Sequence, residues 1–251
     1  MDLYFEVTGN GHPVVLVHSG GADSRLWTYL APLLSKNYKV IAFDGRGAGK
    51  SPSPVTEANY VKDLLALMDD HDLNQATIVG HSMGGQIATE FALSYPERVS
   101  KLVLLAPSLT GFPYSEEFVQ YHIEVSKAAP DIDKMLEVAL HSPTYQVVNN
   151  SQNKDLNAQM LKHHFERMLK RPSDFHITWP HPPAIERLGE LKPETLFFIG
   201  DQDLPDNYRV ADYFGKVVPN IRFSVMTNAD HMLPLTHSED LYREIIAFME
   251  D

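Results

Sequence analysis

The chain has 251 residues, enough for one large core or at most two small domains. Its 33 acidic and 21 basic side chains leave a net charge of −12, the wrong sign for a nucleic-acid backbone or an anionic membrane as partner. Cysteine is absent, which removes disulfides, thiolate nucleophiles and thiolate metal sites together. The segment MDLYFEVTG has neither the basic stretch nor the apolar core of a secretory signal, and no apolar run approaches the roughly 18 residues of a membrane span. The expected location is cytoplasmic.

In chain order, LYFEVTG (3–9) reads as a leading strand. PVVLVHS (13–19), YKVIAFD (38–44), TIVGHS (77–82) and VSKLVLLAP (99–107) are continuous apolar runs of strand length. Runs apolar at every position, rather than at alternate ones, suit strands buried on both faces, as in a parallel sheet covered by helices. Helical periodicity fills the gaps at about 26–35, 57–71 and 83–95. This rhythm predicts an α/β fold. From Ser108 to Leu191 it stops, and only helical or irregular stretches such as EEFVQYHIEVSKAA and LNAQMLKHHFERMLKR are found. Strands resume with ETLFFIG (194–200) and IRFSVM (221–226), with a helix near 207–218 between them. A last helix runs from Ser238, which can serve as its N-cap, to about Met249. The expected organisation is an α/β core of residues 1–107 and 192–251 carrying a helical insertion at 108–191.

The most informative stretch is TIVGHSMGGQIA (77–88). It places Ser82 at the centre of Gly80-His81-Ser82-Met83-Gly84, where a strand pattern gives way to a helical one. That is the G-x-S-x-G arrangement of a nucleophile elbow, a sharp turn that lifts a serine hydroxyl clear of the sheet. Serine is a poor nucleophile at neutral pH and needs a base, normally histidine, oriented by a carboxylate. Of twelve histidines, His231 follows a strand by the short loop TNAD, at the sheet end where open α/β folds place ligands. His237 sits against a helix start, where a capping or surface role is expected. His71, His122, His141, His163 and His164 fall on helical patterns and read as surface or packing residues. For the carboxylate, GDQDLPD (200–206) follows a strand and offers three acids. Asp203 has room to turn back toward the histidine, whereas Asp201 suits the turn and Asp206 the cap of the next helix. The other strand end, after VSKLVLLAP, offers no carboxylate. An acyl-transfer site also needs donors for a developing oxyanion; the amides of Met83 and Gly20 are the candidates.

With these marks in hand, the chain resembles the α/β-hydrolase superfamily over nearly its whole length. GNGHPVVLVHSGG, FDGRGAGKS, GHSMGG, GDQD and HMLPLTHSEDL carry the resemblance, with serine, aspartate and histidine in that order. It implies a mostly parallel central sheet with helices on both faces and a helical cap at 108–191. It further implies Ser82 as nucleophile, Asp203 as orienting acid and His231 as base. Ser19 departs from the family's usual His-Gly pair in the oxyanion loop, and with only LYFEVTG ahead of PVVLVHS the sheet is expected to lack an edge strand. Relatives that use aspartate as nucleophile, the haloalkane dehalogenases and epoxide hydrolases, are disfavoured by Ser82.

FDGRGAGKS is not a phosphate loop: the position five residues before Gly49 is Asp44 rather than glycine, and Pro52 and Pro54 oppose the required helix. A turn anchored by Asp44 and Arg46 is expected instead. His176 and His181 lack metal-ligand spacing, so neither metal nor cofactor is expected. The insertion's aromatics and methionines (Phe112, Tyr114, Phe118, Tyr121, Met135, Phe165, Met168, Trp179) predict an apolar chamber as a group. Trp27, Trp179, Leu204 and Met232 are the individual substrate-binding candidates. No arginine or lysine cluster lies near the mechanistic loops, so a highly anionic acyl group is not expected. The reading is a serine hydrolase acting on a small-to-medium ester, thioester or lactone. Its alternatives are C–C bond hydrolysis, hydroxynitrile cleavage, or ligand sensing with the same three residues. A lysine reaching the site from Lys127, Lys134, Lys162 or Lys170 would favour the lyase.

Overall fold

The computed structural model describes residues 1–251. Strands β1 (Phe5–Thr8), β2 (Pro13–Val17) and β3 (Lys39–Phe43) come first, with a 3-10 turn (Ser24–Trp27) and α1 (Leu30–Leu34) between the last two. A two-residue strand, β4 (Glu57–Ala58), precedes α2 (Tyr60–Asp70), followed by β5 (Ala76–His81), α3 (Met83–Ser94) and β6 (Val99–Leu105). The insertion holds α4 (Glu116–Lys127), α5 (Ile132–Leu140), α6 (Lys154–Met168), the short β7 (His176–Ile177) and α7 (Ala184–Arg187). The core resumes with β8 (Glu194–Gly200), α8 (Pro205–Val217), β9 (Ile221–Met226), the single turn α9 (Leu233–Thr236) and α10 (Ser238–Glu250).

Seven strands form one sheet in the order β1-β3-β2-β5-β6-β8-β9. Only β1 runs antiparallel, against β3. Strand residues alternate between two apolar layers, as a period of two requires. Val15, Ile41, Ile78, Leu104 and Phe197 pack beneath α2, α3 and α8. Val14, Val40, Val79, Val103 and Phe198 pack beneath α1 and α10 on the opposite face. The continuous apolar runs are therefore filled on both sides, while edge strands β1 and β9 stay largely exposed. From β2 the chain steps outward to β3, then crosses back to lay β5 on the other flank of β2. The crevice between the carboxyl ends of β2 and β5 is thus the topological switch point, where such sheets leave room for a ligand.

Some local expectations are corrected. The stretch at 57–58 is a strand, and α2 starts only after Asn59, whose side chain caps Lys62 N at 3.0 Å. The insertion is not strand-free, because β7 pairs with β4 and ties it to the loop before α2. Ser238 is the first residue of α10, and His237 occupies the N-cap position. Asp206 does not cap α8 either; Leu204 sits at that position, and the Asp206 carboxylate instead accepts from Ser115 N and Oγ at the entry to α4.

The insertion has a small apolar core of its own around Met135, Leu161 and Phe165, but buried polar bonds also hold it to the core. Glu90 of α3, fully buried, accepts from Ala184 N at 2.9 Å and from Arg187 Nη2 at 2.7 Å. Burial raises the Glu90 pKa, and the Thr110, Ala184 and Arg187 contacts work against that rise. Removing one partner of a buried ion pair leaves an uncompensated charge. Arg187→Ala is therefore expected to destabilise the fold by about 3 kcal/mol in urea unfolding. A loss near zero would mean that this bond does not hold the insertion.

Candidate active site

Ser82 links β5 to α3 with φ 53° and ψ −117°, a left-handed conformation that side chains rarely adopt. Neighbours impose it. A Cβ on Gly84 would lie 2.0 Å from the Val17 carbonyl oxygen, and one on Gly80 would lie 2.4 Å from that of Gly84. Backbone bonds pin the strained residue on both sides: Ser82 N–H donates to Leu105 O at 2.9 Å, and Ser82 O accepts from Ser108 N and Gln86 N at 3.0 Å each. Strain persists where the surroundings over-determine it.

The loop after β2 faces this turn. Buried His18 donates from Nδ1 to Ser19 O at 2.8 Å and accepts from Gly45 N at Nε2, at 2.9 Å. This fixes the tautomer and ties the loop to the one after β3, where Asp44 accepts from Ser24 N and Lys50 N at 2.7 Å each. Arg46 contributes to the same turn differently, pairing with Asp2 and Asp63. Gly20 lies beside Met83, since a Cβ there would be 3.7 Å from Met83 Sδ. The Met83 amide opens α3 and has no carbonyl one turn earlier to bond.

The loops after β8 and β9 bring Asp203 and His231 together. His231 Nδ1 lies 3.0 Å from Asp203 Oδ2 and 3.2 Å from Oδ1. The carboxylate also accepts from Leu204 N at 2.7 Å and Asn207 Nδ2 at 2.6 Å. Nδ1 must carry a proton to bond a carboxylate, which leaves Nε2 as the basic nitrogen. Burial opposes charge on Asp203, yet His231, Asn207 and the Leu204 amide hold its pKa below the usual range. Burial likewise opposes an imidazolium at His231, but Asp203 and then Asp230 hold its pKa above 6.5. Ser82 and His231 line the same chamber of about 460 Å³ without a hydrogen bond between their side chains; such contacts commonly tighten only when substrate binds.

Leu204 and Met232 line this chamber, as do Tyr114, Phe118, Tyr121 and Phe165 of the insertion. Trp27 does not. Its ring is 1% exposed in the layer under α1, because the 3-10 turn points it into the sheet face with Leu26 and Leu30. Trp179 is also outside, packed behind Tyr60 with ring centroids 6.3 Å apart, so that Tyr60 rather than Trp179 meets the chamber. Met135 is buried in the insertion's own core. His122 and His164, expected at the surface or in packing, line the chamber, and so does a single arginine, Arg171, in keeping with the expectation of no basic cluster there. No lysine lines it. No three His, Asp or Glu side chains come together as metal ligands, and no helix is long and apolar enough to cross a membrane.

A family profile described as the alpha/beta hydrolase fold matches residues 12–238. The chain belongs to the α/β-hydrolase family. Its full-length relatives include a 2-hydroxy-6-oxononadienedioate/2-hydroxy-6-oxononatrienedioate hydrolase of Comamonas testosteroni, 25% identical, covering 98% of this chain and 91% of that protein. Among solved structures, naproxen esterase from Bacillus subtilis superposes with a TM-score of 0.80 at 21% identity, over 98% of this chain and 87% of that one. An enol-lactonase from Burkholderia xenovorans gives 0.76 at 19% identity, over 99% and 96%.

In this α/β-hydrolase, sequence reading missed three groups around His231. Asn207 stands four residues after Asp203, one helical turn on, a spacing that could have revealed it. His81, next to Ser82, donates from Nε2 to His231 O at 2.7 Å, and the two rings lie 4.9 Å apart. Burial and the neighbouring His231 push the His81 pKa down to about 3, so it stays neutral, with Nδ1 buried and unpartnered. Asp230, fully buried, accepts from Met232 N at 2.9 Å and from Val147 and Val148 N at 2.7 and 2.9 Å. It joins the histidine loop directly to the insertion.

Two outcomes follow for His231. Because the native state holds its proton more tightly than the unfolded chain does, this contribution to stability is complete below pH 6.5 and is lost as pH rises through the higher native value. An NMR titration of the His231 ring is expected to give a pKa above 6.5, and Asp203→Asn to bring it below, since burial then acts against a weaker opposing field. An unchanged value in Asp203→Asn would contradict the account. Asp230→Ala strands the buried amides of Val148 and Met232 and the half-buried amide of Val147, and is expected to cost about 3 kcal/mol in urea unfolding.

Proposed function

We propose that this α/β-hydrolase is a serine hydrolase cleaving small-to-medium carboxylic esters, thioesters or lactones through an acyl-enzyme, with residues 108–191 as a cap over the site. The observation that carries this reading is the Asp203–His231 pair, in which Nδ1 is bound to the carboxylate and His231 lines the same chamber as Ser82, Gly20 and Met83. His231 Nε2 takes the Ser82 hydroxyl proton as Oγ attacks the carbonyl carbon. The amides of Met83 and Gly20 receive the oxyanion, and Asp203 stabilises the imidazolium without taking its proton. The imidazolium then protonates the leaving group. Water, deprotonated by the same nitrogen, attacks the acyl carbon, and Ser82 leaves with the proton restored. No step requires a cofactor.

A second reading, hydrolysis of a C–C bond beside a ketone, is favoured by the full-length likeness to the Comamonas hydrolase. The lyase alternative loses its support, because none of Lys127, Lys134, Lys162 and Lys170 lines the chamber. Ser82→Ala is expected to lower kcat on p-nitrophenyl butyrate by at least about 10³-fold. Wild-type turnover in that variant would overturn the mechanism. Turnover of a 2-hydroxy-6-oxo-dienoate at a kcat/KM well above that of every ester in an acyl-length panel would select the second reading.

A further inference from the structure

The chamber's electrostatics run against those of the whole chain. Acids outnumber bases by 33 to 21 in the sequence, yet no aspartate or glutamate lines the chamber, and its one permanent charge is Arg171. Each of the other arginines has a protein partner. Seven pair with acids, and Arg167 bonds His163 and the Ser51 carbonyl. Arg171 has none: its Nε is buried without a hydrogen-bond partner, and the guanidinium is held only by stacking on Phe175, 4.7 Å from the ring centroid. A guanidinium offers five donors in a planar fork, and leaving it unpaired in a partly buried site is costly unless a ligand completes it.

Its surroundings suit an anion. Arg171 borders both the chamber and the recess under the Gly20–Gly21 loop, beside Tyr60 and His164. Burial and then the charge of Arg171 push the His164 pKa down to about 4, so that imidazole is a neutral hydrogen-bonding group and adds no second charge.

We propose that Arg171 binds a carboxylate carried by the substrate, so that the preferred substrates are monoanionic: half-esters of dicarboxylic acids, or keto acids whose scissile bond lies apart from the carboxylate. This rests on the serine-hydrolase reading of the chamber and names its substrate class. The carboxylate accepts a bidentate pair of N–H bonds from Arg171 on the Gly20 side, while the scissile carbonyl reaches Ser82. Arginine rather than lysine matters here because the fork matches a carboxylate's two oxygens.

The test compares p-nitrophenyl hydrogen glutarate with its neutral counterpart p-nitrophenyl pentanoate, read as the ratio of kcat/KM values. Arg171→Gln is expected to lower that ratio by about 10- to 100-fold, the range of a charge-assisted bond, and Arg171→Lys to lower it less. A ratio that moves less than about twofold in a folded Arg171→Gln would overturn the proposal, twofold being well below one such bond; should that variant not fold, the glutarate titration below decides. Calorimetric titration of glutarate into Ser82→Ala separates this inference from the mechanism. Glutarate binding that is lost on adding Arg171→Gln supports the carboxylate site even if ester turnover proves independent of Ser82. Absence of glutarate binding overturns the site even if Ser82 proves essential.

Discussion

The arrangement depends on one close approach of backbone to backbone, where the first turn of α3 meets the end of β2. There is no room at Gly84 for even a methyl group against the Val17 carbonyl, nor at Gly80 against Gly84. With helix and strand that close, the linking residue has only the left-handed conformation available, and Ser82 holds it. The contact falls at the switch point between β2 and β5, so the serine is raised where the loops after β2, β8 and β9 converge. A relaxed turn at the same point would leave the hydroxyl beneath those loops.

Around that fixed point, two aspartates divide the work of holding His231. Asp203 takes the ring by Nδ1 and is itself held by Asn207 and the Leu204 amide, which leaves the imidazole little freedom to turn. Asp230 takes the Met232 amide just beyond the ring and joins the loop to Val147 and Val148 of the insertion. His81 adds a third tie, running from the residue before Ser82 to the His231 carbonyl. The position of the insertion and the placement of the imidazole loop are therefore joined through Asp230. Hydrogen bonds this buried contribute more to position than to net stability.

The core was legible in the sequence because its signals are local. Continuous apolar runs give strands buried on both faces, and the glycines flanking Ser82 record a packing constraint within a few residues of themselves. The insertion was much less legible. Its helices are visible in the pattern, but which face of α6 meets the chamber is decided by how that helix lies on the core, so helical periodicity alone reads His164 as a surface or packing residue. Trp27 illustrates the converse. Sequence nearness to the oxyanion loop suggested substrate contact, whereas the 3-10 turn directs its ring into the apolar layer. Arg171 lies 89 residues from Ser82 along the chain, and only the return of the insertion over the sheet brings it near the mechanistic loops.

The central claim is that the strained turn makes Ser82 a reactive hydroxyl in the folded protein. Labelling with a fluorophosphonate, followed by tandem mass spectrometry of the digested protein, tests it most directly. The account predicts one equivalent of label, carried on Ser82, with the labelling rate falling as pH drops below the native pKa of His231. Label on another side chain, or none on the folded chain, would contradict it.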